Sequence, residues 1–213
     1  MFLETRAVAP FFKNGFLLGC EVTREAVVID PGDEAPELIE LIDLAKMRVR
    51  YILLTHAHMD HVSGVARLKA APGAPVALHK DDLFLYESAV QQGLMFGYKV
   101  EQPPKPDFFL DPGTPLDFGG YRVRIHHTPG HSPGGVCLQV GQADAGGSDL
   151  FVGDTLFAGS IGRTDLPGGD YDTLIASIRG VLFAFGDQAV VYPGHGPKTT
   201  IGDERRTNPF LQD

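Results

Sequence analysis

Potential metal ligands fall at the ends of apolar runs along much of this chain, and any fold it adopts has to bring those ends to one place. The densest group is His56-x-His58-x-Asp60-His61, four potential ligands within six residues. It follows the apolar run Val49–Leu54 directly and precedes a helical stretch. A strand end running into a loop lets side chains converge without backbone clash. Imidazole and carboxylate are the groups that hold zinc, iron or manganese, three or four to an ion. A solvated polar turn is the bland alternative, but the chain has only 8 histidines and three of them are in this string.

Three later segments repeat the arrangement: Thr128-Pro129-Gly130-His131, Gly153-Asp154-Thr155 and Tyr192-Pro193-Gly194-His195-Gly196. Each sets a potential ligand at the end of an apolar run inside a glycine-containing turn, where glycine allows close backbone approach and positive φ. Singly, a His or Asp in such a turn is more often a cap or turn former. Together with the first string they make a closed set. His56, His58 and His131 supply three nitrogens for one ion, Asp60, His61 and His195 form a second set, and Asp154 can bridge two cations.

The rest of the chain reads as ordinary globular protein. Hydrophobic residues make up 43% and charged residues 21%, enough for a core and too apolar for disorder. The formal net charge of -9 repels a phosphate backbone, so nucleic acid is not an expected partner. Two cysteines, Cys20 and Cys137, sit in apolar runs and read as small buried thiols; a disulfide between them stays open. The first residues lack a basic stretch followed by an apolar one, and no apolar run reaches spanning length. The expectation is a cytoplasmic protein with no membrane partner.

Apolar runs and turn signals predict the order of elements. Phe16–Val22 and Ala26–Ile29 are expected as strands joined by a Thr23–Glu25 turn. Pro36 opens a helix through Leu38, Ile39, Leu41, Ile42 and Ala45. Val49–Leu54 reads as a buried strand, Val62–Ala71 as a helix, Pro75–Leu78 as a strand and Asp81–Val90 as a helix. Gln91–Asp107, with Pro103, Pro104 and Pro106, reads as a long irregular loop. Strands follow at Tyr121–His127, Val136–Val140 and Leu150–Val152, a helix within Leu174–Phe185, and a final strand at Ala189–Tyr192. Early hairpins and later helix-separated strands predict mixed sheets covered by helices. His126 and His127 read as packing or supporting residues, and His79 as a surface residue. For Met95, Phe96 and Tyr98 in the long loop, a pocket cover, a subunit contact and core packing all stand.

In this order, the seven ligands resemble the full set of the metallo-β-lactamase superfamily, over a span from about Asp30 to His195. The resemblance implies an α/β fold, a four-layer αββα sandwich of two mixed sheets flanked by helices, with the metals at one edge. It implies that His56, His58 and His131 hold one metal, that Asp60, His61 and His195 hold the other, and that Asp154 bridges. Two divalent cations are expected, zinc first, with iron or manganese also suited. Asp30 in VVIDPG matches the family's early Asp-x-Gly turn, which supports the site from behind.

The string GDTLFAGSIGRTDLPGGD resembles the short bacterial glyoxalase II-like hydrolases. This implies thioester hydrolysis, on S-D-lactoylglutathione or a related acyl thioester, by attack of a metal-bridging hydroxide. Asp60 and Asp154 are then the catalytic carboxylates, with Asp60 steering a proton. Arg163 and Asp165 are candidate substrate-binding residues, the alternative being that they pair with each other to shape their loop. The chain reads as one domain over 1–213, possessing no counterpart of the separate C-terminal helical domain that helps full-length glyoxalase II bind glutathione. Where the larger enzymes carry a Lys and a Tyr, this loop has Arg163 and Asp165. The runner-up is a persulfide dioxygenase, which shares the Gly-Arg-Thr-Asp string and uses one iron held by residues matching His56, His131 and Asp154. A nuclease, a lactamase and a non-catalytic binding module rank lower. Self-association into a homo-oligomer is left open.

Overall fold

A computed structural model describes residues 1–212. Two six-stranded sheets carry the fold. The first runs in chain order through β1 (Phe2–Arg6), β2 (Gly15–Gly19), β3 (Glu25–Ile29), β4 (Arg48–Leu53), β5 (Val76–His79) and β6 (Phe108–Leu110). Its first three strands pair antiparallel and β3 to β6 pair parallel. Parallel neighbours need crossovers, and helices supply them: α1 (Ala35–Leu44), then α2 (Met59–Val62) with α3 (Val65–Ala70), then α4 (Leu83–Glu87) with α5 (Ala89–Met95).

The second sheet contains β7 (Leu116–Phe118), β8 (Tyr121–His127), β9 (Val136–Gln142), β10 (Gly146–Gly153), β13 (Val190–Pro193) and β14 (Thr199–Thr200), in the order β14-β13-β10-β9-β8-β7. A small hairpin of β11 (Leu156–Phe157) and β12 (Ser160–Ile161) leaves β10. Helices α6 (Tyr171–Gly180) and α7 (Ile201–Thr207) cover the outer face. Both begin on side-chain caps: Thr173 N donates to Asp170 Oδ1 at 2.8 Å, and Asp203 N to Thr200 Oγ1 at 3.1 Å.

Strand alternation builds the layers. Phe16, Leu18, Val27 and Ile29 face Val123, Ile125, Leu138, Val140 and Phe151 between the two sheets. The intervening Leu17, Ala26 and Val28 pack under α1 with Leu38 and Ile42, a pair four residues apart on one helix face. Cys137, Leu150 and Val152 pack under α6 with Leu174 and Ile178. The result is the expected αββα sandwich of mixed sheets.

Several expected elements change. Ala89–Met95 is helix, so the irregular loop begins only after Met95; the prolines at 103, 104 and 106 act further on. The stretch Val62–Ala71 is divided between α2 and α3 at Ser63–Gly64, where Gly64 N donates to the Pro31 carbonyl at 3.0 Å. Ala189–Tyr192 is not the final strand, because β14 follows and pairs with β13. His79 is buried rather than at the surface, its ring stacked on His127 at 4.3 Å and 18°. Cys20 and Cys137 are both buried free thiols. No helix among the described residues is long and apolar enough to cross a membrane.

One ionic contact ties the N-terminal segment to the first sheet. Lys13 and Glu34 are 2% and 1% exposed and lie 2.5 Å apart. Lys13 Nζ also donates to the Asp30 carbonyl, and Glu34 Oε1 accepts from Gly32 N at 2.8 Å. Removing one partner of a buried pair leaves a desolvated charge. Glu34→Ala is therefore expected to lower unfolding free energy by roughly 3–5 kcal/mol in a urea titration. Lys13→Met with Glu34→Gln should lose less than the two single changes summed, because neither charge is then stranded.

Candidate metal centre

The seven expected ligands come from four strand ends. His56, His58, Asp60 and His61 follow β4, His131 follows β8, Asp154 follows β10 and His195 follows β13. They meet in three overlapping groups, with the donor atoms of each group within 4.8 Å of one another: His56, His58 and His131; His56, His61 and Asp154; Asp60, His61 and His195. His58 Nδ1 is 2.8 Å from His131 Nε2, and His195 Nε2 is 3.1 Å from Asp60 Oδ2. Asp154 lies between the sets, with Oδ1 3.4 Å from His61 Nε2 and Oδ2 3.7 Å from His131 Nε2 and 3.6 Å from His195 Nε2.

Two glycines permit this closeness. A Cβ at Gly194 would stand 2.2 Å from Asp154 Oδ1 and 2.7 Å from His61 Cε1. Gly153 has φ of 53°, and a Cβ there would meet Thr55 Oγ1 at 2.2 Å. Any side chain at either position would push the ligand loops apart.

A set of buried polar groups aims these ligands. Asp30 accepts from Thr55 N at 2.7 Å and Thr55 Oγ1 at 2.6 Å, and its Oδ2 lies 3.0 Å from His61 Nδ1. It therefore stands behind the site, where the Asp-x-Gly turn places it. His131 Nδ1 donates to the Arg163 carbonyl at 2.7 Å, which leaves Nε2 as the ring's lone pair facing the centre. Four further residues escaped the sequence reading. Asp82 accepts from Ala57 N at 3.0 Å, Ser132 Oγ at 2.8 Å and Gly134 N at 2.6 Å, joining the first ligand loop to the His131 loop. Gln92 Oε1 accepts from Met59 N at 3.1 Å. Lys13 bridges to His195 in a short antiparallel contact, and Asn14 Nδ2 donates to the carbonyls of Pro193 at 3.0 Å and Gly196 at 2.9 Å. The pair Asp81-Asp82 behind His79 and the Lys13-Asn14 pair between aromatic residues were the available signals; neither spacing reveals a partner so distant in sequence.

The electrostatics favour cations. Burial, then the neighbouring imidazoles, pushes His56 well below the usual histidine range, and burial with His131 takes His58 down to about 3. Both rings therefore offer lone pairs at neutral pH. His61 behaves oppositely: burial would lower it, but Asp60, Asp154 and Asp30 together raise it. Burial likewise opposes ionisation of Asp60 and Asp154, yet His61 foremost keeps both carboxyls below the ordinary range. His56 Nε2, His58 Nε2, His61 Nε2 and Asp154 Oδ1 are buried without a hydrogen-bond partner in the protein. Unpartnered buried donors and acceptors are costly. His56 Nε2, His61 Nε2 and Asp154 Oδ1 belong to one of the clustered ligand groups, His58 joins the centre through Nδ1, and the residues fit divalent cations.

The centre opens into a cavity of about 430 Å³ whose walls include Phe11, Phe84, Met95, Phe96, Leu166 and Arg163. Arg163 and Asp165 form two 2.7 Å hydrogen bonds with each other, and both are exposed. Asp165 is not among the cavity residues.

Comparison with known proteins agrees with this geometry. The chain is 40% identical over 213 residues to the hydroxyacylglutathione hydrolase GloC of Haemophilus influenzae, covering 99% of this chain and 98% of that one. Among solved structures it is similar to the BLEG-1 B3 metallo-beta-lactamase (TM-score 0.90, 36% identity, 100% of both chains). It is also similar to TTHA1623 in a di-iron-bound form (TM-score 0.87, 41% identity, 98% of this chain and 100% of that one). ETHE1 from Myxococcus xanthus shares the fold at TM-score 0.81 and 25% identity, over 98% of this chain and 84% of that one. The family model of the metallo-beta-lactamase superfamily matches residues 9–195, a span that takes in every ligand described above, and the chain belongs to that superfamily.

Proposed function

We propose that this protein is a metal-dependent thioester hydrolase of the hydroxyacylglutathione hydrolase kind. The observation that carries the reading is the three interlocked ligand groups opening into one cavity, and the 40% identity to GloC over the whole chain supports it. His56, His58 and His131 would hold one ion, Asp60, His61 and His195 the other, and Asp154 both. Zinc suits these donors first; iron and manganese suit them too, and TTHA1623 is a similar protein in a di-iron-bound form.

When bound, such ions supply Lewis acidity, polarising a carbonyl and bringing the pKa of water toward neutrality. The protein's own groups do the rest. Water adds to the thioester carbonyl carbon, the C–S bond breaks, and the products are a carboxylic acid and a thiol. Asp60, among the residues that line the cavity, can take a proton from the incoming water. A thiolate is a good leaving group, with a pKa of about 8.5, and so needs no strong acid beside it. That matters here, since every buried carboxyl at the centre is engaged by histidine. The same point ranks β-lactam hydrolysis lower despite the likeness to BLEG-1, because an amine leaving group calls for a proton donor. Two free thiols are at home in a reducing cytoplasm, where we place the protein.

A second reading keeps specific support. The Gly162-Arg163-Thr164-Asp165 string and the likeness to ETHE1 favour a persulfide dioxygenase, in which His56, His131 and Asp154 alone would hold a single iron.

Metal content per chain, measured with hydrolysis of S-D-lactoylglutathione and oxygen uptake on glutathione persulfide, separates the two. Thioester cleavage without oxygen consumption is expected; oxygen uptake with one iron per chain would reverse the assignment. Asp154→Ala should lose metal and activity together, the latter on the order of 10²-fold or more; an unimpaired variant would remove Asp154 from its shared position. Asp30→Ala should weaken metal affinity by roughly 10–100-fold in a competitive chelator titration, since His61 loses the carboxylate behind it.

A further inference from the structure

The walls of the cavity beside the centre are mostly apolar. Three of the largest exposed apolar side chains of the protein stand there: Phe84 (49% exposed), Met95 (81%) and Phe96 (55%). They come from α4, the end of α5 and the residue after it, and Phe11 and Leu166 continue the wall. Apolar surface grouped in this way beside a reactive centre has a ligand-binding purpose more often than a solvent-facing one.

Two polar side chains of the same cavity are engaged within the protein, while Gln91 on the same wall is exposed. Gln92 Oε1 accepts from Met59 N, and its Nε2 donates to the Leu85 carbonyl at 2.7 Å. Ser88 Oγ donates to the same carbonyl at 3.0 Å. Arg163 is the single Lys or Arg among the cavity residues, and Asp165 takes it in two hydrogen bonds. Glutathione carries two carboxylates and an ammonium group. Arg163, exposed and paired with an exposed Asp165, is the one Lys or Arg cation on a wall that is otherwise mostly apolar.

We infer that the apolar wall formed by Phe84, Met95 and Phe96 receives the acyl group of the thioester, and that thioesters of apolar acyl groups are cleaved in preference to S-D-lactoylglutathione. This rests on the thioesterase reading above and adds a substrate class to it. The wall is continuous with His58, Asp60, His131, Asp154 and His195 in one cavity, so a carbonyl at the centre leads its acyl chain along the wall. Each methylene moved from water into such a groove contributes up to roughly a fourfold preference.

The test is a series of N-acetylcysteamine thioesters (acetyl, butanoyl, hexanoyl and octanoyl) with S-D-lactoylglutathione alongside, assayed on the metal-loaded protein. kcat/KM should rise roughly two- to fourfold per methylene from acetyl to hexanoyl, and hexanoyl should exceed lactoylglutathione. In Phe84→Ala and Phe96→Ala, the hexanoyl-to-acetyl ratio should fall by roughly five- to tenfold. Both side chains are half exposed, so the fold does not depend on them. A flat or falling series, lactoylglutathione as the best substrate, or a ratio untouched by both variants would overturn the inference and leave the thioesterase reading in place. Cleavage of no thioester at all would overturn both. A stable dimer that Phe96→Glu converts to monomers would give this face to a second copy of the chain and also overturn the inference.

Discussion

Three carboxylates close on one buried imidazole, and the structure around the centre is arranged to support that charge. His61 is fully buried and faces Asp30, Asp60 and Asp154 at once. A carboxylate in apolar surroundings would ordinarily take up a proton. Here His61 keeps Asp60 and Asp154 ionised, and they keep His61 charged in return. A proton on His61 offsets part of the carboxylate charge that a divalent ion would otherwise offset, and an ion held by His61 would have to displace it. Metal affinity at such a site depends on pH for that reason. The neutral side of the centre, His56 and His58, has no proton to expel and presents its lone pairs directly.

Much of this arrangement was legible in the sequence because strand ends and ligands coincide there. Val49–Leu54 announces β4 through its apolar run, and the ligand string begins two residues after Leu54. The turn glycines beside Asp154 and His195 mark places where backbone must approach a neighbour, and Gly153 and Gly194 lie against Thr55, Asp154 and His61. Early hairpins and later helix-separated strands point to mixed sheets covered by helices, and the four-layer order comes from the family resemblance.

What escaped was held by contacts between residues distant in sequence. Lys13 lies between Phe12 and Asn14 and has no local pattern; its meaning is Glu34 and the Asp30 carbonyl, reached only when β2 and β3 form. Asp82 follows Asp81 with no pattern of its own, and becomes a buried acceptor for three donors from two loops. Burial still pushes its carboxyl upward against those bonds, a mark of how completely the loops enclose it. Helix α5 was obscured by the prolines further along, although proline at 103 constrains only its own turn and the residue before it. Short strands such as β6 and β14 have too few residues to show a period and exist because a neighbouring strand is there to pair with.

The division of ligands between the sheets also says where metal affinity has to come from. The first sheet delivers His56, His58, Asp60 and His61, and the second delivers His131, Asp154 and His195, so ions held there would cross-link the two halves. In a small zinc domain such a cross-link is the fold. Here Phe16, Ile29, Leu138, Val140 and Phe151 already join the sheets through a dry interior. The hydrogen bonds of Asp30 and Asp82, together with the Lys13-Asn14 clamp on the His195 loop, fix the loop ends without help from an ion. Binding energy need not be diverted into ordering the chain, so it can be expressed as affinity and as a fixed separation between the two ligand sets.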